Sequence, residues 1–236
     1  MNALQNTSSS IRIIYLSLVN NFRIKDRRWI MDKTASKTTT VGLVAGEYVV
    51  LAADKRATAG PMVYHKRVRK IMEITPYAAM TISGLVADAQ FLVENAKYIA
   101  KDYELKMGKR ISIDALASRI SLILSAYLRF SPFIVQLLLG GVDHEGPKLY
   151  YMDLYGSVSR ERFMSTGSGS PVAFGVLEQG YREGLTLEEA KELAFKAVSS
   201  AIMRDSFTGE GVDIVVIGPE GISEETRLFK KTLATV

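Results

Sequence analysis

The 236 residues carry 47% apolar and 23% charged side chains, a balance that suits one folded domain with or without a tail and excludes a disordered or collagen-like chain. No cysteine is present, which excludes disulfides and thiolate metal sites and leaves the cytoplasm as the expected compartment. The two histidines, His65 and His144, stand in neither a metal motif nor a nucleophile elbow.

The net charge of +5 lies entirely in residues 1–37, which hold seven basic and two acidic side chains. The remainder has no global basic bias, so nucleic acid is not an expected partner; "HKRVRK" (His65 to Lys70) is a local patch. In the leader, "IRIIYLSLVNNF" is too short for a membrane span, contains Arg12 and lacks a signal-peptide cleavage site, so neither a membrane anchor nor secretion is expected. Met31 offers a second start, which would make residues 1–30 a gene-start artefact and leave "MDKTASK" ahead of Thr38.

From Thr38 the periodicity becomes readable. "TTVGLVA" and "YVVLAAD" read as two strands joined by Gly46-Glu47, a type II′ hairpin connection. Strands follow at "KIMEI" and "YAAMTIS", then a helix from after Gly84 to a stop at Gly108, with Leu92, Ala96, Ile99 and Tyr103 on one face. A second helix opens at Ser112, presents Ile113, Leu116, Ile120, Ile123 and Tyr127, and ends before Pro132. The second half repeats the classes: strands "IVQLLLGGV", "KLYYMD" and "SVSRERFMS", a helix capped at Ser170 with Pro171 in its first turn, a helix with a Thr186/Glu189 capping box, and a buried strand "VDIVVIG". In the last helix Ala190, Leu193, Ala197 and Ile202 keep helical spacing. Two facing sheets, each covered outside by helices, bury every apolar face, so the expected class is α+β, a four-layer αββα sandwich.

Three consecutive threonines before the first strand admit two readings: a β-branched strand edge, or a residue that becomes a new N-terminus. An N-terminal Thr brings hydroxyl nucleophile and α-amine base on one residue, and such a site needs a nearby cation and a carboxylate to hold it. "AADKRAT" offers Asp54 and "VRK" offers Lys70, which taken alone would be a surface ion pair.

The motifs "TTTVGLV", "VVLAADKRATAG", "AAMTISGLVADAQ", "VQLLLGGVD", "STGSGSP", "GVLEQGYREGLTLEEA" and "IMRDSFTGEGVDIVVI" stand in one order and spacing, and in them the chain resembles β subunits of the 20S proteasome, archaeal type. The resemblance spans Thr38 to about Gly218 and implies an N-terminal-nucleophile hydrolase fold, with residues 1–37 a leader and 38–236 the β-type domain. It makes Thr38 the nucleophile, Asp54 and Lys70 its carboxylate and lysine, Gly84 the oxyanion donor through its N–H, and Ser168 and Asp205 a supporting network. Thr208 stands where the family has Ser. Ala57, Val68, Met72, Ile82 and Val86 match the first specificity pocket and favour apolar side chains; Thr58 would hold substrate backbone as an added strand.

The resemblance also implies seven-membered β rings stacked between rings of α subunits, other β subunits beside this one, an unfolding ATPase outside, unfolded polypeptide as substrate, and no cofactor. One departure is Lys37, where self-processing family members have Gly, the residue least restricted in backbone conformation. Two functions stay open: a threonine endopeptidase freed at Thr38, or a ring subunit that keeps its leader and does not cut. A separate amidase of the same fold is a distant third.

Overall fold

The structure, a computed structural model, describes residues 37–59 and 61–228; the expectations for the leader ahead of residue 37 lie outside them. Its first sheet orders β10 (Phe163–Gly167), β1 (Thr39–Ala45), β2 (Tyr48–Asp54), β11 (Val212–Gly218) and β12 (Gly221–Arg227). The second orders β5 (Ile71–Thr75), β6 (Ala78–Gly84), β7 (Val135–Asp143), β8 (Gly146–Met152) and β9 (Val158–Glu161), and a separate hairpin pairs β3 (Ala57–Ala59) with β4 (Met62–His65). Helices α1 (Val86–Met107) and α2 (Ile113–Tyr127) cover the second sheet, and α3 (Ser170–Gly180) and α4 (Leu187–Arg204) the first.

Strand alternation builds the layers. In β2, Val49, Leu51 and Ala53 pack against Ala79, Leu138 and Leu149 of the facing sheet, whereas Val50 and Ala52 join Ala194, Ala197 and Val198 of α4. Both β2 faces are therefore apolar, as a strand sandwiched between two layers requires. A β-carbon at Gly42 would come 2.8 Å from the Leu149 side chain, and one at Gly140 would come 2.8 Å from Val49, so these glycines set how closely the sheets approach. The β1–β2 turn carries the expected chemistry: Gly46 alone has positive φ, and Ala45 pairs with Tyr48.

The helix ends follow local signals. Gly108 takes the left-handed conformation with φ 66° and donates to Glu104 O at 2.9 Å. Ser112 accepts from Ala115 N at 3.3 Å, Asp143 adds an acceptor for Ile113 N at 2.8 Å, and the Thr186/Glu189 capping box is complete.

Five details differ from the sequence reading. "SVSRERFMS" is two strands: β9 pairs with β8 and β10 with β1, and Arg162 alone carries the chain from one sheet edge to the other. The alternation continues through that crossing without Gly or Pro, so nothing local marks it. The cap of α3 is Gly169, not Ser170, because a β-carbon at Gly169 would lie 2.1 Å from Thr39 Oγ1; the close approach selects glycine there. Tyr127 is 46% exposed and meets Phe133 at a tilt of 50° and Phe91 edgewise instead of entering the core. The β3–β4 hairpin and the edge strand β12 complete the list; "GISEETR" has too few apolar residues to show a buried face.

Candidate active site

Thr38 stands immediately before β1, and the three threonines divide their work. Thr38 is 1% exposed, Asp54 at the end of β2 is 0% and Lys70 just ahead of β5 is 3%, so all three are withdrawn from water. The Thr38 hydroxyl donates to Asp54 Oδ1 at 2.5 Å, and Lys70 Nζ donates both to Thr38 Oγ1 and, at 2.7 Å, to the same Asp54 oxygen. Asp54 is further held by the backbone N–H groups of Thr39 at 3.1 Å, Arg56 at 3.0 Å and Gly209 at 3.0 Å. A buried carboxylate with five donors is fully satisfied, as burial of its charge demands.

Register explains the meeting. β2 pairs with β11, so Asp54 lies opposite Val212 and close to the Gly209 turn, while Lys70 O accepts from Ile82 N at 2.9 Å and thereby ties its segment to β6. Burial pushes the Lys70 ammonium below the ordinary lysine range, against the opposing attraction of Asp54. That direction raises the share of neutral amine able to take a proton near neutral pH, and with the hydroxyl proton directed at Asp54 the arrangement polarises Thr38 for nucleophilic attack.

The second and third threonines brace the first. Thr39 Oγ1 shares a hydrogen bond with Thr208 Oγ1 at 2.8 Å, and Thr208 donates to Asp205 Oδ2 at 2.6 Å. Ser168 donates to the same Asp205 oxygen at 2.6 Å and reaches the Thr38 carbonyl at 3.4 Å. Thr40 Oγ1 meets Thr166 Oγ1 at 2.7 Å and accepts from Thr81 Oγ1 at 3.2 Å, joining the two sheets beside the site.

A family model described as proteasome subunit matches residues 35–217. The chain belongs to the proteasome subunit family. It is similar to proteasome subunit beta 2 of Desulfurococcus amylolyticus, at 75% identity over 203 residues, covering 86% of this chain and 98% of the relative. The corresponding protein of Staphylothermus marinus is 66% identical over 201 residues, with 85% and 97% covered. Proteasome subunit beta of Methanopyrus kandleri is 47% identical over 191 residues, with 80% and 91% covered. This is a β-type proteasome subunit of the archaeal kind, a component of the proteasome core that assembles with other subunits.

Within that proteasome fold the remaining expected residues fall in two groups. Gly84 closes β6 with φ 114°, and a β-carbon there would lie 2.1 Å from Ile134 O, so no other residue fits. Met72 and Ile82 pack with the core beneath α1 and α2, whereas Ala57, Thr58 and Val68 are half-buried and Val86 is 42% exposed. Val68 N donates to Lys55 O at 2.9 Å, which brings its segment back beside the end of β2. Two large grooves of the described surface, about 750 Å³ beside α1 and α2 and about 930 Å³ near the β7–β8 turn, are lined by none of these residues.

Lys37 is half-buried, with Nζ over the Phe207 ring at 4.2 Å from its centroid. Of the "HKRVRK" patch, Lys70 is turned inward, Arg69 pairs with Glu224, and His65, like His144, is exposed. Sequence reasoning missed Gly167, whose added β-carbon would lie 2.0 Å from Thr38 O, and Gly209, whose N–H holds Asp54. Both lie inside quoted motifs, "STGSGSP" and "RDSFTGEG", where a glycine signalled a turn but not what the turn touches.

Proposed function

We propose that this subunit is a threonine endopeptidase of the 20S core, with Thr38 the N-terminal nucleophile after removal of residues 1–37. The supporting observation is the buried contact set in which Thr38 Oγ1, Asp54 and Lys70 meet at the head of β1. In the full chain the Thr38 nitrogen is an amide, so release comes first. The hydroxyl attacks the Lys37 carbonyl carbon and its proton passes to the Asp54–Lys70 pair. Collapse breaks the Lys37–Thr38 C–N bond, the nitrogen takes up that proton as a free amine, and an ester remains. Water hydrolyses the ester to a Lys37 carboxylate and restores the hydroxyl.

The same hydroxyl then attacks peptide bonds of unfolded polypeptide, with the new amine as base. The Gly84 N–H supports the oxyanion, and the Ser168–Asp205–Thr208 network holds the Thr38 end of β1. Thr58 on β3 aligns the substrate backbone, and Ala57, Val68, Met72, Ile82 and Val86 favour apolar side chains. No cofactor takes part. The setting is the cytoplasm, within stacked seven-membered rings of α subunits and other β subunits fed by an unfolding ATPase.

Intact mass and peptide hydrolysis of the assembled complex test this. Wild type should begin at Thr38 and cut apolar peptides, and Thr38→Ala should retain its leader and cut none. Hydrolysis by an assembled Thr38→Ala complex lacking other β subunits would sink the assignment. The second reading, a subunit that keeps its leader and shapes the chamber beside an active partner, is favoured by the seating of Lys37 on Phe207.

A further inference from the structure

Lys37 carries the carbonyl that Thr38 must attack, and its side chain is seated. Nζ lies 4.2 Å from the centroid of the half-buried Phe207 ring, inside the roughly 6 Å range of a cation–π contact. Phe207 is itself fixed. Its N–H donates to Asp205 Oδ1 at 3.3 Å, and Thr208 and Ser168 occupy the other oxygen of that carboxylate, each at 2.6 Å. Beyond the bond to be broken, the Thr38 carbonyl accepts from Gly169 N and Ser168 Oγ, both at 3.4 Å, and Thr39 N is held by Asp54. The chain is therefore pinned on both sides of the Lys37–Thr38 bond, by hydrogen bonds after it and by an aromatic face before it.

We propose that Phe207 is a positioning residue for leader release, whose ring holds the Lys37 side chain and slows the bend that brings the Lys37 carbonyl onto the Thr38 hydroxyl. The inference rests on Thr38 being the self-cleaving nucleophile. Attack requires the carbonyl carbon to reach about 3–3.5 Å from Oγ1, a tight turn between adjacent residues. Glycine turns freely there, whereas Lys37 must swing its backbone while its ammonium is tethered to a ring on another loop. Leaving the ring weakens a contact that the starting state enjoys, so the barrier rises by up to the strength of that contact. For a half-buried cation–π pair this amounts to a twofold to fivefold slower release.

The test follows the N-terminus of assembled complexes by intact mass over time. Phe207→Leu, which fills the space without a π face, should release the leader about twofold to fivefold faster than wild type. Phe207→Tyr should match wild type, and Lys37→Met should equal Phe207→Leu. The Lys37→Met/Phe207→Leu double variant should be no faster than either single one, which a merely structural role for Phe207 would not produce. In a Thr38→Ala background, where no cleavage competes, Phe207→Leu should also raise the rate of amine acylation at Lys37 by a similar factor. Equal or slower release from Phe207→Leu, or unchanged Lys37 acylation, overturns the proposal. A leader kept by wild type and Phe207→Leu alike also overturns it, and Lys37→Gly then separates the two ideas: release there keeps Thr38 as nucleophile, and no release removes both.

Discussion

Exchanging Asp54 for Asn keeps the side-chain volume and removes the charge on which five donors converge. Oδ1 accepts from Thr38 Oγ1, Thr39 N and Lys70 Nζ, and Oδ2 from Arg56 N and Gly209 N. An asparagine has one oxygen to offer. Turned one way, its amide nitrogen faces the Arg56 and Gly209 N–H groups; turned the other, it faces Thr39 N and the Lys70 ammonium. Either way buried donors lose their acceptor, and Lys70, 3% exposed, loses its counter-charge. Breaking a buried pair by removing one partner costs about 3–5 kcal/mol. At roughly 2–4 °C per kcal/mol for a domain of this size, the melting point should fall by about 6–20 °C. The measurement is thermal and urea unfolding of the full chain in a Thr38→Ala background at matched concentration, so that leader removal does not change the species. A loss below about 1 kcal/mol would refute the reasoning, because it would mean that Asp54 does not carry the convergent charge described.

Other consequences are equally direct. Lys70→Ala should reduce peptide hydrolysis by about a hundredfold or more, the scale for loss of one preorganised electrostatic donor, read as kcat on an apolar peptide. Because burial lowers the Lys70 pKa and a neutral amine accepts protons, leader release should rise with pH through a midpoint below the ordinary 10.5; a pH profile of release that is flat or falls through that range contradicts the role. Gly167→Ala forces a β-carbon to within 2.0 Å of Thr38 O at a φ of 91°, so the Thr38 backbone must move, and mass-monitored leader release should slow about a hundredfold. Lys148, 0% exposed and paired with Asp114, Asp143 and Glu145, lies opposite Gly141, which pairs with Ala78 at the end of β6 away from Gly84. Its change to Met should lower stability towards the smaller end of about 3–5 kcal/mol, since Asp114 and Glu145 remain open to water, while leaving the chemistry at Thr38 intact.

The layer order was legible because each sandwiched strand must bury both faces and each helix one stripe, so "YVVLAAD" and "VDIVVIG" announce themselves as central strands and the capping box at Thr186 announces α4. The β12 strand was not, because an edge strand packs one face weakly and "GISEETR" holds a single large apolar residue, Ile222, and no fully buried position. The break at Arg162 was invisible for a different reason: alternation reports which side a residue faces, not which sheet receives it.

For the site, the motifs in register named Thr38, Asp54, Lys70, Ser168 and Asp205, and a terminal threonine needs a carboxylate and a cation on chemical grounds alone. Local pattern determined that much, together with the strand-helix order and the unusual Lys37. Tertiary structure alone decided that 16 residues of separation between Asp54 and Lys70 close to 2.7 Å, and that Thr39 and Thr208, 169 positions apart, share a hydrogen bond. It also decided that Lys37 meets Phe207, whose ring no local signal ties to residue 37. Propensity and periodicity act over a turn of helix or a pair of strand positions, whereas these contacts arise where strand registers from two sheets and the loop after α4 converge, and that convergence is fixed by packing of the whole sandwich.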